Sequence, residues 1–230
     1  MERVFRLRNG RVGRVRFTTA ADGDLRISGS PARLARHRAR LVKRPWTWLD
    51  QVHGSDVVLV ERAGDRAGAT ADAAVAPPNV DDAVGGAVLA IHTADCPPVA
   101  LLSPEGVLGA VHAGWRGLEG GIVDATLTLM RNHNASAIRA LLGPCIHVEC
   151  YEFGASELDR FARRFGSHVR GITRKGTPAL HLPGVVATAL RRGGVDDLDV
   201  VPLCTGCDPR FFSHRARSDG ARQAMLVWLE

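Results

Sequence analysis

The sequence predicts a single α+β domain, and three observations carry that prediction. The chain has 230 residues, 45% hydrophobic and 23% charged, which is enough for one core and unlike a disordered, fibrous or coiled-coil chain. Residues 87–91, 98–102 and 107–111 are short apolar runs, rich in β-branched residues and bounded by Pro and Gly, and they read as buried strands. Residues 118–133 place Ile122, Thr126, Leu129 and Met130 on one stripe, the pattern of an amphipathic helix packed on a sheet.

The remaining elements follow in chain order. Residues 14–18 alternate basic and apolar positions, with Val15 and Phe17 on one face of a strand. Residues 31–42 read as a helix with Ser30 at its N-cap, Pro31 in the first turn, and Leu34, Leu41 and Val42 as its apolar positions. Strands at 46–52 and 56–61 flank the turn Gln51-Val52-His53-Gly54-Ser55, and 64–70 is a small-residue loop. A strand at 138–142 and helices at 156–165, 185–192 and 220–229 complete the chain. There is no repeat, linker or low-complexity tract, so residues 1–230 form one domain with the basic segment 1–44 inside it.

Charge is uneven: residues 1–44 carry a net +10 and the remainder a net −4, which together make the +6 of the chain. A basic arm invites a nucleic-acid reading. This arm has only Phe5 and Phe17 as aromatics and matches no reader motif, so a solvated basic face is expected instead. No apolar run approaches the ~18 residues needed to cross a bilayer. Arginines at 3, 6, 8, 11, 14 and 16 leave no room for the apolar core of a signal peptide, so a cytoplasmic protein is expected. Five cysteines, an odd number without an export signal, point to reduced thiols rather than a disulfide framework.

Three segments place a candidate metal ligand beside a strand end: His53 in Gln51-Val52-His53-Gly54, Cys96 in Thr93-Ala94-Asp95-Cys96-Pro97-Pro98, and His112 in His112-Ala113-Gly114-Trp115-Arg116-Gly117. Two imidazoles and a thiolate make a sensible zinc set with a fourth position left for water or substrate. Their separations of 43 and 16 residues do not by themselves single out a metal site, since a lone His at a strand end is commonly an ordinary hydrogen-bonding residue.

Taken in order, these segments, with Gly-Pro-Cys-Ile, Cys-Tyr-Glu-Phe-Gly, Cys-Thr-Gly-Cys and Phe-Phe-Ser-His-Arg, resemble the laccase-domain (YfiH-like) family, over roughly residues 46–228. That family is also labelled multicopper polyphenol oxidase-like, and its members are treated as purine nucleoside phosphorylases. The resemblance implies a four-layer α/β/β/α sandwich of the cytotoxic-necrotizing-factor type, with zinc on His53, Cys96 and His112. It implies phosphorolysis of adenosine, inosine, guanosine or methylthioadenosine, with adenosine deamination as a side activity and purine nucleosides and phosphate as partners. Two departures stand out: Ala20-Ala21-Asp22-Gly23-Asp24 replaces a Gly-rich family loop, and His214 stands where relatives often have Tyr.

Each residue has competing roles. Cys96 and His112 are ligands or, alternatively, a Cys–His nucleophile pair of a hydrolase. Asp95 either orients a ligand imidazole or caps a turn. Arg116, with the N-terminus of the helix that follows, either binds phosphate or packs on Trp115. Gln51 either reads a purine edge or satisfies the backbone, and His92 is expected to be a satisfied core histidine. The alternative of a copper-dependent polyphenol oxidase is disfavoured, because nine scattered histidines without a His-x-His pair are thin for multicopper chemistry. Cys204-x-x-Cys207, with Cys145, Cys150 and His147 as candidate partners, hints at a second zinc site. Lacking a matching knuckle, no second site is expected.

Overall fold

The computed structural model describes residues 1–8, 10–80 and 86–230. Strands β1 (Glu2–Arg6) and β2 (Val12–Phe17) form an antiparallel hairpin, followed by helix α1 (Pro31–Leu41). Ser30 is the N-cap of α1 as expected, although its side chain makes no capping bond. Next come β3 (Trp46–Asp50), β4 (Val57–Leu59), β5 (Ala69–Thr70) and β6 (Ala73–Ala76). The three apolar runs become β7 (Val88–Thr93), β8 (Pro98–Leu102) and β9 (Leu108–His112), with every residue buried. They lead into α2 (Trp115–Gly120), α3 (Ile122–Asn132), β10 (Arg139–Leu142) and α4 (Ala155–Phe165). The chain ends with β11 (Arg170–Ile172), β12 (Pro178–Leu180), α5 (Leu182–Arg192), β13 (Leu198–Val200), α6 (His214–Arg217) and β14 (Gln223–Leu229).

Two six-stranded sheets face each other, in the orders β1-β2-β14-β7-β3-β5 and β13-β10-β8-β9-β6-β4. Period-two alternation assigns the faces. Leu89 and Ile91 point inward with Phe17, Met225 and Val227, and meet Ala100, Leu102, Leu108 and Ala110 of the other sheet. Val88 and Ala90 point outward with Leu226 and Trp228 toward Leu25 and the Leu41–Val42 end of α1. The far face of the second sheet, through Val99, Leu101 and Val111, is covered by Ile122, Leu127 and Met130 of α3, Phe161 of α4 and Val185 and Leu190 of α5. Helix, sheet, sheet and helix thus stack in four layers.

Two expected elements are corrected. The stretch 118–133 is two helices, because Gly121 adopts φ +89 and is at once the C-cap of α2 and the N-cap of α3. The stretch 220–229 is the strand β14, which pairs with both β2 and β7 and is buried along its whole length. A central strand covered on both faces shows no alternation, so its Ala, Met and Leu mimic a helix.

The layout fixes where chemistry can collect. The C-terminal ends of β3, β7 and β9 and the N-terminal ends of β6, β8 and β14 lie at one end of the sandwich, as the pairings Pro98 with His112, Ala73 with Val111 and Gln223 with Thr93 require. The loops carrying His53 and Cys96 leave from that end, where β9 also ends in His112.

Candidate active site

The three sequence-predicted ligands converge: one donor atom from each of His53, Cys96 and His112 lies within 4.8 Å of the others. His53 Nε2 is 3.7 Å from Cys96 Sγ, and the two imidazole rings meet edge-on with centroids 4.8 Å apart. A tetrahedral zinc with ordinary Zn–S and Zn–N bonds separates such donors by about 3.6 Å, so the donor set fits that ion.

Asp72, a fully buried residue that the sequence reading did not single out, organises this cluster. It immediately precedes β6, whose pairing with β9 sets it beside His112: the His112 N–H donates to the Asp72 carbonyl at 2.8 Å. The Asp72 carboxylate contacts His112 Nδ1 at 2.7 Å and accepts the backbone N–H groups of Val52, His53 and Gly54 at 3.2, 2.9 and 2.7 Å. One carboxylate therefore fixes one imidazole and the turn that carries the other. His53 sits at φ +62, an uncommon conformation for a non-glycine residue, in the turn that the bonds to Asp72 hold. Gly114 completes the packing, since a Cβ there would lie 2.8 Å from His53 Cδ2 and 3.6 Å from Cys96 Sγ.

The electrostatics are strongly coupled. Burial opposes charge on Cys96, but the neighbouring His112 and His53 outweigh it and bring the thiol down to about 6. Burial likewise opposes charge on His112, and the Cys96 and Asp72 charges overcome it, raising the imidazole to about 9. The Asp72 carboxyl is lowered despite its burial by the His112 bond and the N–H groups it accepts.

Other expected site residues are placed differently. Among the described residues Asp95 bonds no imidazole; at φ +101 its carboxylate accepts the Thr205 hydroxyl at 2.7 Å and the Arg215 N–H at 2.6 Å, tying the Cys96 turn to the segment before β14. Gln51 is spent on the backbone, donating to the His92 carbonyl and accepting the His92 N–H, both at 2.8 Å. Its amide is thus not free for a purine, although the residue borders the site. His92 is buried but not satisfied, because neither ring nitrogen has a partner among the described residues. Burial, the largest cause, lowers it to about 3 and keeps it neutral.

Arg116 stacks on Trp115, its guanidinium carbon 4.4 Å from the ring, and no hydrogen bond or ion pair engages it among the described residues. The six-residue α2 begins at Trp115, so the long helix that was to lend its dipole to an anion is absent, and the guanidinium alone remains for that role. Arg116 opens on a cavity of about 680 Å³ that also reaches His53, Cys96, His112, Tyr151 and Arg215. Arg215, which sequence reasoning missed, lies over the Tyr151 ring at 5.0 Å. The candidate second set is only partly as expected: Cys150, Cys204 and Cys207 gather with Glu149 rather than with Cys145 or His147.

No described helix is long and apolar enough to cross a membrane. A family model described as multi-copper polyphenol oxidoreductase laccase matches residues 3–230. A purine nucleoside phosphorylase of Mycobacterium tuberculosis is 36% identical over 240 residues, covering 100% of this chain and 92% of the relative. One of Deinococcus radiodurans is 38% identical over 198 residues, covering 82% and 74%. Among solved structures, YlmD of Geobacillus stearothermophilus superposes with a TM-score of 0.78 at 25% identity, covering 95% of this chain and 92% of that one. A Neisseria meningitidis protein reaches 0.80 at 24% identity, covering 100% and 98%, a likeness of fold.

Proposed function

We infer that this chain, which belongs to the multi-copper polyphenol oxidoreductase laccase family, is a zinc-dependent purine nucleoside phosphorylase. The observation that carries the reading is the convergence of His53, Cys96 and His112 on a cavity walled by Arg116 and Arg215. Relatives of 36–38% identity that bear the phosphorylase name support it.

When bound, zinc supplies a Lewis acid at the cavity wall. The rest is the work of this chain's side chains. Asp72 takes the His112 Nδ1–H, which fixes the tautomer and turns the Nε2 lone pair toward the shared point. Cys96 supplies the soft anionic donor. Arg116 and Arg215 offer guanidinium charge to inorganic phosphate, and Trp115 and Tyr151 give the purine aromatic walls. A phosphate oxygen bonds the anomeric carbon as the bond from that carbon to the purine nitrogen breaks. The electron pair leaves on the base, which takes up the proton given up by phosphate, and the products are free purine and the sugar 1-phosphate, ribose 1-phosphate from the ribonucleosides and 5-methylthioribose 1-phosphate from methylthioadenosine. Adenosine, inosine, guanosine and methylthioadenosine are the proposed substrates, with deamination of adenosine as a side reaction.

A second reading shares these side chains. The chain Asp72–His112–Cys96 also has the order of a nucleophilic thiol with its base and orienting acid, as in a Cys–His hydrolase. A nucleoside panel run with and without inorganic phosphate separates the two. Base release that requires phosphate supports the phosphorylase; equal release without phosphate contradicts it.

A further inference from the structure

We propose that Glu149, Cys150, Cys204 and Cys207 form a second zinc site, structural in role and separate from the one in the cavity. The four side chains come from two segments far apart in sequence: the short 148–150 turn of helix before Tyr151, and the Cys204-Thr205-Gly206-Cys207 knuckle after β13. A donor atom from each lies within 4.8 Å of the others. Cys150 Sγ is 3.3 Å from Cys207 Sγ, and Cys207 Sγ is 3.4 Å from a Glu149 carboxylate oxygen. A tetrahedral zinc with three thiolates and one carboxylate has donor separations of about 3.5–3.8 Å, so small shifts bring these atoms onto that polyhedron.

Two further features belong to a closed metal knuckle. The His147 backbone N–H points at the buried Cys204 Sγ at 3.3 Å, the kind of outer bond that steadies a metal-bound thiolate. Gly206 leaves the space that Cys150 fills, since a Cβ there would stand 2.9 Å from Cys150 Cβ and 3.1 Å from its Sγ. A disulfide would need only Cys150 and Cys207 and would leave the convergence of Cys204 and Glu149 without use. The sequence offered one C-x-x-C knuckle without a partner; the fold supplies Glu149-Cys150 as the other half.

Binding releases the three thiol protons and leaves the ion with four protein ligands and no open position, which makes the site structural rather than catalytic. Its place explains what it would hold. Tyr151 follows Cys150 directly, and Thr205, inside the knuckle, bonds Asp95 in the Cys96 turn. Zinc here would staple the cavity's Tyr151 wall to the segment that carries His214 and Arg215.

The test is elemental analysis of the full chain purified under reducing conditions, paired with peptide mapping after alkylation. Wild type is expected to hold two zinc ions per chain, His53→Ala one, and Cys207→Ser one. Should Cys207→Ser fail to fold, the wild-type protein decides alone: Cys150, Cys204 and Cys207 should resist iodoacetamide until a chelator exposes all three together. One zinc per chain with those thiols freely alkylated overturns the proposal, as does a Cys150–Cys207 disulfide in the peptide map.

Discussion

Asp72 Oδ1 lies 2.7 Å from His112 Nδ1 while the same carboxylate gathers three successive N–H groups of the His53 turn, so one buried acid positions two of the three proposed metal ligands. Replacing it with Ala leaves four N–H donors without their acceptor, the buried His112 Nδ1–H and three from the half-exposed turn that water can reach in part. A stability loss of roughly 2–4 kcal/mol is expected, since each buried group left unpaired costs about 1–3 kcal/mol and neighbours relax in part. Asp72→Asn keeps the shape but offers His112 a weaker acceptor and turns an NH2 toward two of the turn's N–H groups, and should lower zinc affinity about 10- to 100-fold. Urea unfolding and competition with a chromophoric chelator measure the two effects.

Gly114→Ala tests the geometry without touching a donor. Gly114 has φ −62, which alanine adopts freely, but the new Cβ would meet His53 Cδ2 at 2.8 Å. Zinc affinity should fall at least tenfold while stability falls by about 1–2 kcal/mol, because alanine is a poorer N-cap than glycine and the His53 ring must shift to make room. Unchanged zinc affinity in this variant would show that His53 is not held where the metal needs it.

Arg116→Ala should raise the phosphate concentration needed for half-saturation about ten- to hundredfold and leave nucleoside saturation nearly unchanged. The magnitude is that of one lost charge-assisted contact, roughly 1.5–3 kcal/mol. Because Arg116 is exposed and stacks only on Trp115, the folded protein should keep its stability. Initial rates across a grid of both substrates distinguish this from a packing role, which would move stability instead.

His92→Leu should flatten the acid limb of stability. In the folded chain His92 stays neutral down to about 3, whereas in the unfolded chain it protonates near its ordinary value of 6.5. The unfolded state therefore binds the extra proton between those values, and stability falls as pH drops from about 6.5 toward 3. Leucine removes that slope and, because neither ring nitrogen is bonded, should leave stability at pH 8 unchanged or slightly higher. Equal acid limbs for the two proteins in urea titrations would contradict this.

Much of the site was legible because its donors are chemically distinctive residues at strand ends. What stayed hidden depended on long-range pairing. Asp72 is a lone acid in the small-residue run Ala71-Asp72-Ala73-Ala74, and an isolated charge in a run that is buried throughout is the available signal. Its partner His112 is 40 residues away and is set beside it only by the register of β6 on β9. The β14 sequence resembles a helix because both faces of the strand are covered, which erases the alternation that marks a half-exposed strand. The split between α2 and α3 was written in Gly120-Gly121, yet the apolar stripe of α3 ran smoothly enough to mask it. Cys150 is among the partners the sequence offers to the Cys204–Cys207 pair, 57 residues away from Cys207, but nothing local announces that Glu149 rather than Cys145 or His147 completes the set.

Zinc-dependent phosphorolysis is measured most directly by the ratio of ribose 1-phosphate to free purine formed from inosine. That ratio is taken on protein stripped with a chelator and again after zinc is restored. Negligible turnover is expected of the stripped protein and, once zinc is returned, the two products should form in a one-to-one ratio at a rate that depends on added inorganic phosphate. Free base without ribose 1-phosphate, or turnover indifferent to removal of the metal, would contradict it.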